Sequence, residues 1–276
     1  MDGIFSLGLI KRLYDLPHRF VLRVRYARKA IILGAPIARD ASLSQCFIID
    51  NTKYGWNAES AGSNIMLCDD SFELVTCLLA DVFDLDIPDN ILDALYDITI
   101  GNLEPNSPSE RIFLAWLLSN MKIRESLVEY VRRSEWSNIN RWYTEYSSTP
   151  LAERVRSRAK QICKSARPLS LGINLIRFTI ANRVEYYAAR LALVQLRPSS
   201  RIVIGVGINK RGYVDIIYMA SNKNLIRLSQ RLEEYGYLAI GRPHFIRIMF
   251  PDGKASLSDI TTEFMSILRR EIKKLR

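Results

Sequence analysis

Histidine is nearly missing from this chain of 276 residues, which has two, His18 and His244. The four cysteines, Cys46, Cys68, Cys77 and Cys163, form no Cys-x-x-Cys pair and follow no regular spacing. A structural zinc site draws on these two residue types at short spacings, so none is expected. The cysteines read instead as buried free thiols in a reducing compartment. Histidine-based acid–base catalysis has little to work with, which leaves carboxylates and tyrosines as candidates. No apolar run approaches the roughly 20 residues that span a bilayer. The first sixteen residues place Lys11 and Arg12 behind their apolar positions, the reverse of a signal peptide. Ten prolines and thirteen glycines exclude a collagen-like or low-complexity chain. With 48% hydrophobic and 25% charged residues there is ample core material, and the expectation is a soluble cytoplasmic protein.

Positive charge is scarce in one stretch only. Residues 40–110 hold a single base, Lys53, against fourteen acids. Residues 141–276 hold 25 bases against ten acids, within an overall net charge of +10. A C-terminal half this basic attracts polyanions, of which phosphodiester backbones are the commonest. Much of the excess is arginine, which forks onto phosphate. The acidic block would repel nucleic acid, so contact belongs on one side of the chain. Asp69, Asp70, Asp81, Asp84, Asp86, Asp89, Asp93 and Asp97 scatter over helix starts and exposed faces. They favour a docking surface for a basic partner over a cation site.

Periodicity sets the order of elements. Ile4, Leu7, Ile10 and Tyr14 mark a first helix that stops before Pro17. Phe20–Val24, Ala30–Leu33 and Cys46–Ile49 are short apolar runs, suited to buried strands of a parallel sheet. Asp70 with Glu73 forms a capping-box pattern for a helix to about Phe83, and Asp86-Ile87-Pro88 starts another to about Ile100. Ser107-Pro108-Ser109-Glu110 opens a third, and helices continue to about residue 146. Trp116, Trp136, Trp142 and Tyr143, at helical spacing, read as core.

Ser147-Ser148-Thr149-Pro150 breaks the chain. In the helix that follows, Leu151, Val155, Ala159, Ile162 and Ala166 make an apolar stripe. Arg154, Arg156, Arg158, Lys160, Lys164 and Arg167 surround it with positive charge, opposed by Glu153 alone, and are the candidate nucleic-acid contacts. Beyond it come strands at Ile173–Ile180, Arg201–Ile208, Tyr213–Met219 and His244–Phe250. Helices are expected at Arg183–Leu196, Leu225–Tyr235 and Leu257–Leu275. Lys210 and Arg211, in the turn Asn209–Gly212, join the candidate contacts.

This order resembles the DHH phosphoesterase superfamily, in particular RecJ-like proteins. The likeness starts at the strand Cys46–Asp50 and continues through Asp70–Val75 and the helix Ile87–Tyr96. It resumes loosely over residues 170–250. It implies an α/β fold: a degenerate N-terminal DHH-like parallel-sheet domain over 1–110, a helical connector over 111–168 and a mixed α/β accessory domain over 169–276. Family enzymes hold two divalent cations on aspartates and histidines. Here the Asp-His-His position reads Asp50-Asn51-Thr52. The segment expected to add an aspartate reads Ile98-Thr99-Ile100-Gly101-Asn102, and the preceding strand ends in Leu33-Gly34-Ala35-Pro36. The Gly-Gly-His segment has only Ala239–His244 as its counterpart. The expectation is therefore a chain with no metal, no cofactor and no catalytic activity, like the inactive RecJ-like subunit of the archaeal replicative helicase. The resemblance implies GINS and MCM partners and contact with single-stranded DNA. Two alternatives stand beside it: a metal-dependent single-strand nuclease with altered ligands, and a stand-alone nucleic-acid-binding module.

Overall fold

The computed structural model describes residues 1–14, 17–18, 24–34, 37–50, 64–68, 71–72, 74–170, 172–180, 182–221, 223, 225–242, 244–250, 255–256, 258, 262 and 264–274. Two compact units emerge, one of residues 1–99 and 104–148, the other of residues 100–103 and 149–276. The helical stretch 111–168 is shared between them. Among the described residues no helix is long and apolar enough to cross a membrane.

In the first unit, helix α1 (Asp2–Leu13) ends as expected before Pro17. Strands β1 (Val24–Arg28), β2 (Ile31–Leu33), β3 (Ile37–Ser44), β4 (Phe47–Asp50) and β5 (Ile65–Cys68) follow. They pair in parallel as β1–β3 and, separately, in the order β2–β4–β5. The parallel reading of the apolar runs holds for β2 and β4, while residues 20–23 of the first run lie outside the described set. Strands β3 and β5 have no counterpart among the expected strands. β3 alternates Ala, Arg, Asp and Ser among its apolar residues, and β5 has exposed Ile65 and Met66, so neither reads as a buried run.

Among the described residues, five helices follow in this unit: α2 (Val75–Val82), α3 (Asp89–Ile100), α4 (Pro108–Leu118), α5 (Met121–Arg132) and α6 (Trp136–Ser147). Phe5, Leu9 and Ile10 of α1 pack with Ile49, Leu78, Leu79, Ile91, Leu95 and Ile112, so the core lies between the parallel strands and the helices. The start of α4 is built as its sequence foretells. Ser107 Oγ accepts from Glu110 N at 3.2 Å, and Glu110 Oε2 accepts from Asn106 N at 2.8 Å. The start of α2 is not. Asp70 and Glu73 lie outside the described residues, and Leu74 at the cap position supplies no side-chain bond. Asp2 caps this helix from 73 residues away, accepting from Val75 N at 2.9 Å and Thr76 N at 2.8 Å. The aromatic residues stay internal: Trp142 is buried, while Trp116 and Trp136 carry the guanidiniums of Arg124 and Arg12 on their rings.

In the second unit, α7 (Pro150–Lys164) starts with Thr149 Oγ1 accepting from Ala152 N at 3.2 Å. Then come β6 (Arg167–Ser170), β7 (Ile173–Thr179), α8 (Arg183–Leu196), β8 (Ile202–Ile208), β9 (Val214–Ala220), α9 (Ile226–Glu234), β10 (Leu238–Arg242), β11 (Phe245–Met249) and α10 (Met265–Lys274). The six strands form one mixed sheet in the order β10–β11–β9–β8–β7–β6, parallel only between β7 and β8, the pair that α8 connects. The edge strands β6 and β10 are not legible in the sequence. β6 opens Arg-Pro and β10 carries a glycine, both unfavourable signals for a strand.

One face of this sheet buries Ile202, Ile204, Val206, Ile217, Met219, Ile246 and Ile248 against Leu228 and Leu232 of α9 and Leu268 of α10. Gly205 and Gly207 are on the other face, turned toward α8. A Cβ on Gly207 would stand 2.5 Å from Ile216 Cγ2 and 2.9 Å from Phe178 Cζ, so the Gly-x-Gly pair serves close packing under an aromatic ring. Gly101, with φ +86°, makes similar room for Arg197, whose Nε donates to Ile100 O at 3.2 Å. Burial lowers the Arg197 guanidinium to about 10.

Candidate functional site

At the carboxyl edge of β2–β4–β5, the place where open parallel sheets set their ligands, β4 ends in Asp50. Its side chain is 2% exposed, and it lies in register with half-buried Cys68 at the end of β5. Gly34, just past β2, donates its N–H to Ile49 O at 2.8 Å. Among the described residues this edge therefore offers one carboxylate and one thiol. Asn51 and Thr52 lie outside the described residues, as do Ala35 and Pro36. Ile98 and Thr99 occupy the last turn of α3, where the Thr99 hydroxyl donates to Leu95 O at 3.0 Å.

Two hard divalent cations call for several anionic oxygens at fixed spacing. Among the described residues no group of three His, Cys, Asp or Glu side chains could hold a metal ion. Asp50 and Cys68 alone do not fit a two-cation site.

The basic stripe is real as geometry but uneven as charge. Val155, Ala159 and Ile162 turn inward, as the pattern predicts, joined by Ala152, while Leu151 and Ala166 of the expected stripe are only half-buried. The bases flank the outward face, Arg154 and Arg158 on one side and Arg156, Lys160 and Lys164 on the other. Arg154, Lys160 and Lys164 are exposed, and Arg167 is exposed at the start of β6. Arg156 is committed to Glu153 at 2.5 Å. Arg158 binds Glu185 of α8 at 2.5 Å and Gln161 at 2.8 Å. Lys210 and Arg211 sit exposed in a different element, the β8–β9 turn. That turn is held by Asn209 Oδ1, which accepts from Arg211 N at 2.9 Å and Tyr213 N at 3.1 Å.

A second group has no counterpart among the residues that the sequence singles out. Tyr186 of α8 and Tyr218 of β9 meet hydroxyl to hydroxyl at 2.8 Å. Arg190 lies over the Tyr186 ring at 6.0 Å, and Arg247 of β11 stands opposite Tyr218 in register. Burial, reinforced by the adjacent Tyr186 phenol, pushes Tyr218 well above the ordinary phenol range. These residues come from three separate elements and meet only through strand pairing and helix packing. The one local signal is an arginine inside the apolar strand Phe-Ile-Arg-Ile-Met. The segment compared with Gly-Gly-His forms β10 and the approach to β11, where His244 O accepts from Ser221 N at 3.2 Å.

No protein-family model and no curated protein sequence matches the chain. Among solved structures, the chain is similar to PggH, a pGpG-specific phosphodiesterase from Vibrio cholerae, at 12% identity and a TM-score of 0.50. That match covers 99% of this chain and 95% of the other. It is also similar to the DHH domain of a member of the s1p family of ribosomal proteins, at 13% identity and a TM-score of 0.43, covering 84% of this chain and 64% of that one. What is shared is the fold: a DHH-like architecture with an N-terminal parallel sheet, intervening helices and a C-terminal mixed sheet, as the residues implied.

The expectation of a chain that is not an enzyme is overturned by the first of these matches, because the scaffold reproduced from end to end is that of a phosphodiesterase. That expectation extends the loss of one ligand motif to the whole chemistry. Losing Asp-His-His at one strand end removes one way of holding cations, and the fold does not depend on that motif.

Proposed function

We propose that the protein is a phosphodiesterase acting on short, single-stranded, phosphodiester-linked nucleotides. The observation that carries this reading is the end-to-end likeness to a pGpG-specific phosphodiesterase. Two features support it. Asp50 is buried at the carboxyl edge of the parallel sheet, where a reacting phosphodiester would be met. In the second unit, exposed Arg154, Lys160, Lys164 and Arg167 offer a positive surface to phosphate backbones. DNA and RNA oligonucleotides and a linear dinucleotide such as pGpG are the substrates to try, with manganese in the assay.

The test is hydrolysis by the purified chain and its Asp50→Ala variant, followed by separation of products. Cleavage by the wild type that falls at least about a hundredfold in the variant supports the proposal, a loss of the size typical for a group acting in the transition state. No cleavage by the wild type sinks it.

A second reading rests on the acidic stretch, where Asp81, Asp84, Asp86, Asp89 and Asp93 include several exposed carboxylates. They support docking to a basic partner, and the partners implied by the RecJ likeness are GINS and MCM assemblies. Native co-purification at moderate salt tests this, and recovery of neither assembly removes it.

A further inference from the structure

Among the described residues the most exposed aromatic ring is that of Tyr26, at 72%, in the middle of β1. The register of β1 on β3 shifts between Val24 and Tyr26. Before the shift Val24 faces inward, to a core of Ile32, Ile37, Leu43, Cys46 and Ile48. After it Tyr26 and Arg28, two residues apart, project together to solvent. Their register partners are Ser42 and Ser44, too small to cover a ring. Arg25 and Lys29 are exposed beside them. A strand pair anchored from below thus presents one bare ring and three cationic side chains.

These side chains are not spent on internal contacts. Arg132, Arg156, Arg158 and Arg231 each bind a carboxylate. Among the described residues no ion pair or side-chain hydrogen bond engages Arg25, Tyr26, Arg28 or Lys29. Strands β1, β2 and β3 hold a single acid, Asp40, whose side chain is outside the described set. Lys29 stands at φ +50°, a left-handed conformation that glycine or asparagine takes at less cost, and its N–H donates to Ser44 O at 3.0 Å. The turn therefore carries a third cation where a smaller residue would relax it. A cluster without counter-charge of its own attracts a polyanion. The bare ring narrows the class, because stacking needs an unpaired base face, which a single strand offers and a duplex hides. A bilayer surface would call for aliphatic side chains around the ring, and serines stand there instead.

We propose that Tyr26, with Arg25, Arg28 and Lys29, forms a docking platform for single-stranded nucleic acid on β1 of the first unit. One nucleobase stacks on the Tyr26 ring, and the flanking cations hold the adjoining phosphates. The platform needs no hydrolysis and uses neither Asp50 nor the α7 stripe, so it goes beyond the phosphodiesterase reading and does not rest on it.

The experiment is fluorescence anisotropy titration of a labelled DNA strand of about 12 nucleotides with the intact chain, in chelator so that no cleavage intervenes. Wild type, Tyr26→Ala, Tyr26→Phe and an Arg25→Gln/Arg28→Gln double variant are compared over a salt series. Tyr26→Ala should weaken binding about tenfold with the salt slope unchanged, while Tyr26→Phe, which keeps the ring, should stay within about twofold of wild type. The double variant should flatten the slope by about 1.4, two lost phosphate contacts at about 0.7 each. A strand carrying 5-iodouracil should crosslink on irradiation to the peptide that contains Tyr26. Absence of strand binding by the wild type overturns the proposal, as does binding unmoved by Tyr26→Ala. Capture by phosphatidylserine vesicles that depends on Tyr26, without strand binding, overturns it in favour of a membrane surface. Should Tyr26→Ala fail to fold, as circular dichroism would show, the slope of the double variant and the wild-type crosslink decide the matter. Strand binding by a wild type that cleaves nothing would refute the phosphodiesterase reading and leave this platform standing. Cleavage of a dinucleotide with strand binding indifferent to Tyr26 would do the reverse.

Discussion

Asp2 and Thr76 are joined three times over. The Asp2 carboxylate accepts from the Thr76 backbone N–H at 2.8 Å and from its hydroxyl at 2.5 Å, and the hydroxyl also lies 3.1 Å from Asp2 O. One side chain in the first turn of α1 thus performs the capping of α2, satisfying N–H groups that would otherwise be buried without partners. Asp2→Ala should therefore lower stability by about 1–2 kcal/mol, the upper range for losing a cap. Chemical denaturation checks this, and an unchanged midpoint would show that solvent replaces the carboxylate.

Gly101 is placed by the guanidinium beside it. A Cβ there would meet Arg197 Nε at 2.6 Å, in a backbone conformation that side chains rarely adopt. Gly101→Ala should cost about 1–3 kcal/mol from backbone strain and the displaced guanidinium together. Thermal melts report the loss, and Arg197→Ala in the same background should recover part of it if the clash is its source.

Cys77 and Cys163 should resist thiol reagents in the native state. Burial is the main cause that raises both thiols to about 11, with Asp2 adding to the effect at Cys77. Alkylation at about pH 7.5, read by peptide mass spectrometry, should leave both largely unmodified until the chain is unfolded. Each folded thiol holds its proton more tightly than the unfolded one. Their contribution to stability is therefore complete below about pH 9 and declines as pH rises toward 11.

The bases of α7 should separate by their partners. Lys160→Glu with Lys164→Glu should weaken single-strand binding and flatten its salt dependence by about 0.7 for each phosphate that is no longer neutralised, with little effect on stability. Arg158→Ala removes the bond to Glu185 instead, so it should lower the melting temperature slightly and leave the salt slope unchanged. Filter binding at several salt concentrations distinguishes the two, and a slope unmoved by the lysine reversal places the strand elsewhere.

Local elements and their order are written in the residues themselves. Helix α4 is legible from Ser107, Pro108 and Glu110, and α7 from Thr149, Pro150 and the spacing of Val155, Ala159 and Ile162. The strands β2, β4, β7, β8 and β9 are visible because apolar runs of that length have few other uses. From these the DHH-like architecture follows. Signals of this kind are contained within about one turn or one strand, so composition and periodicity report them directly. Packing alone settles the neighbours that lie far apart in the chain: Asp2 reaching the start of α2, Arg158 drawn to Glu185, and Arg247 set beside Tyr218 by strand register. The misjudged chemistry has the same origin, because a motif belongs to one strand end whereas a site is assembled from several. Strand pairing and helix docking bring such residues together, and the register that chooses them is not encoded in any local period.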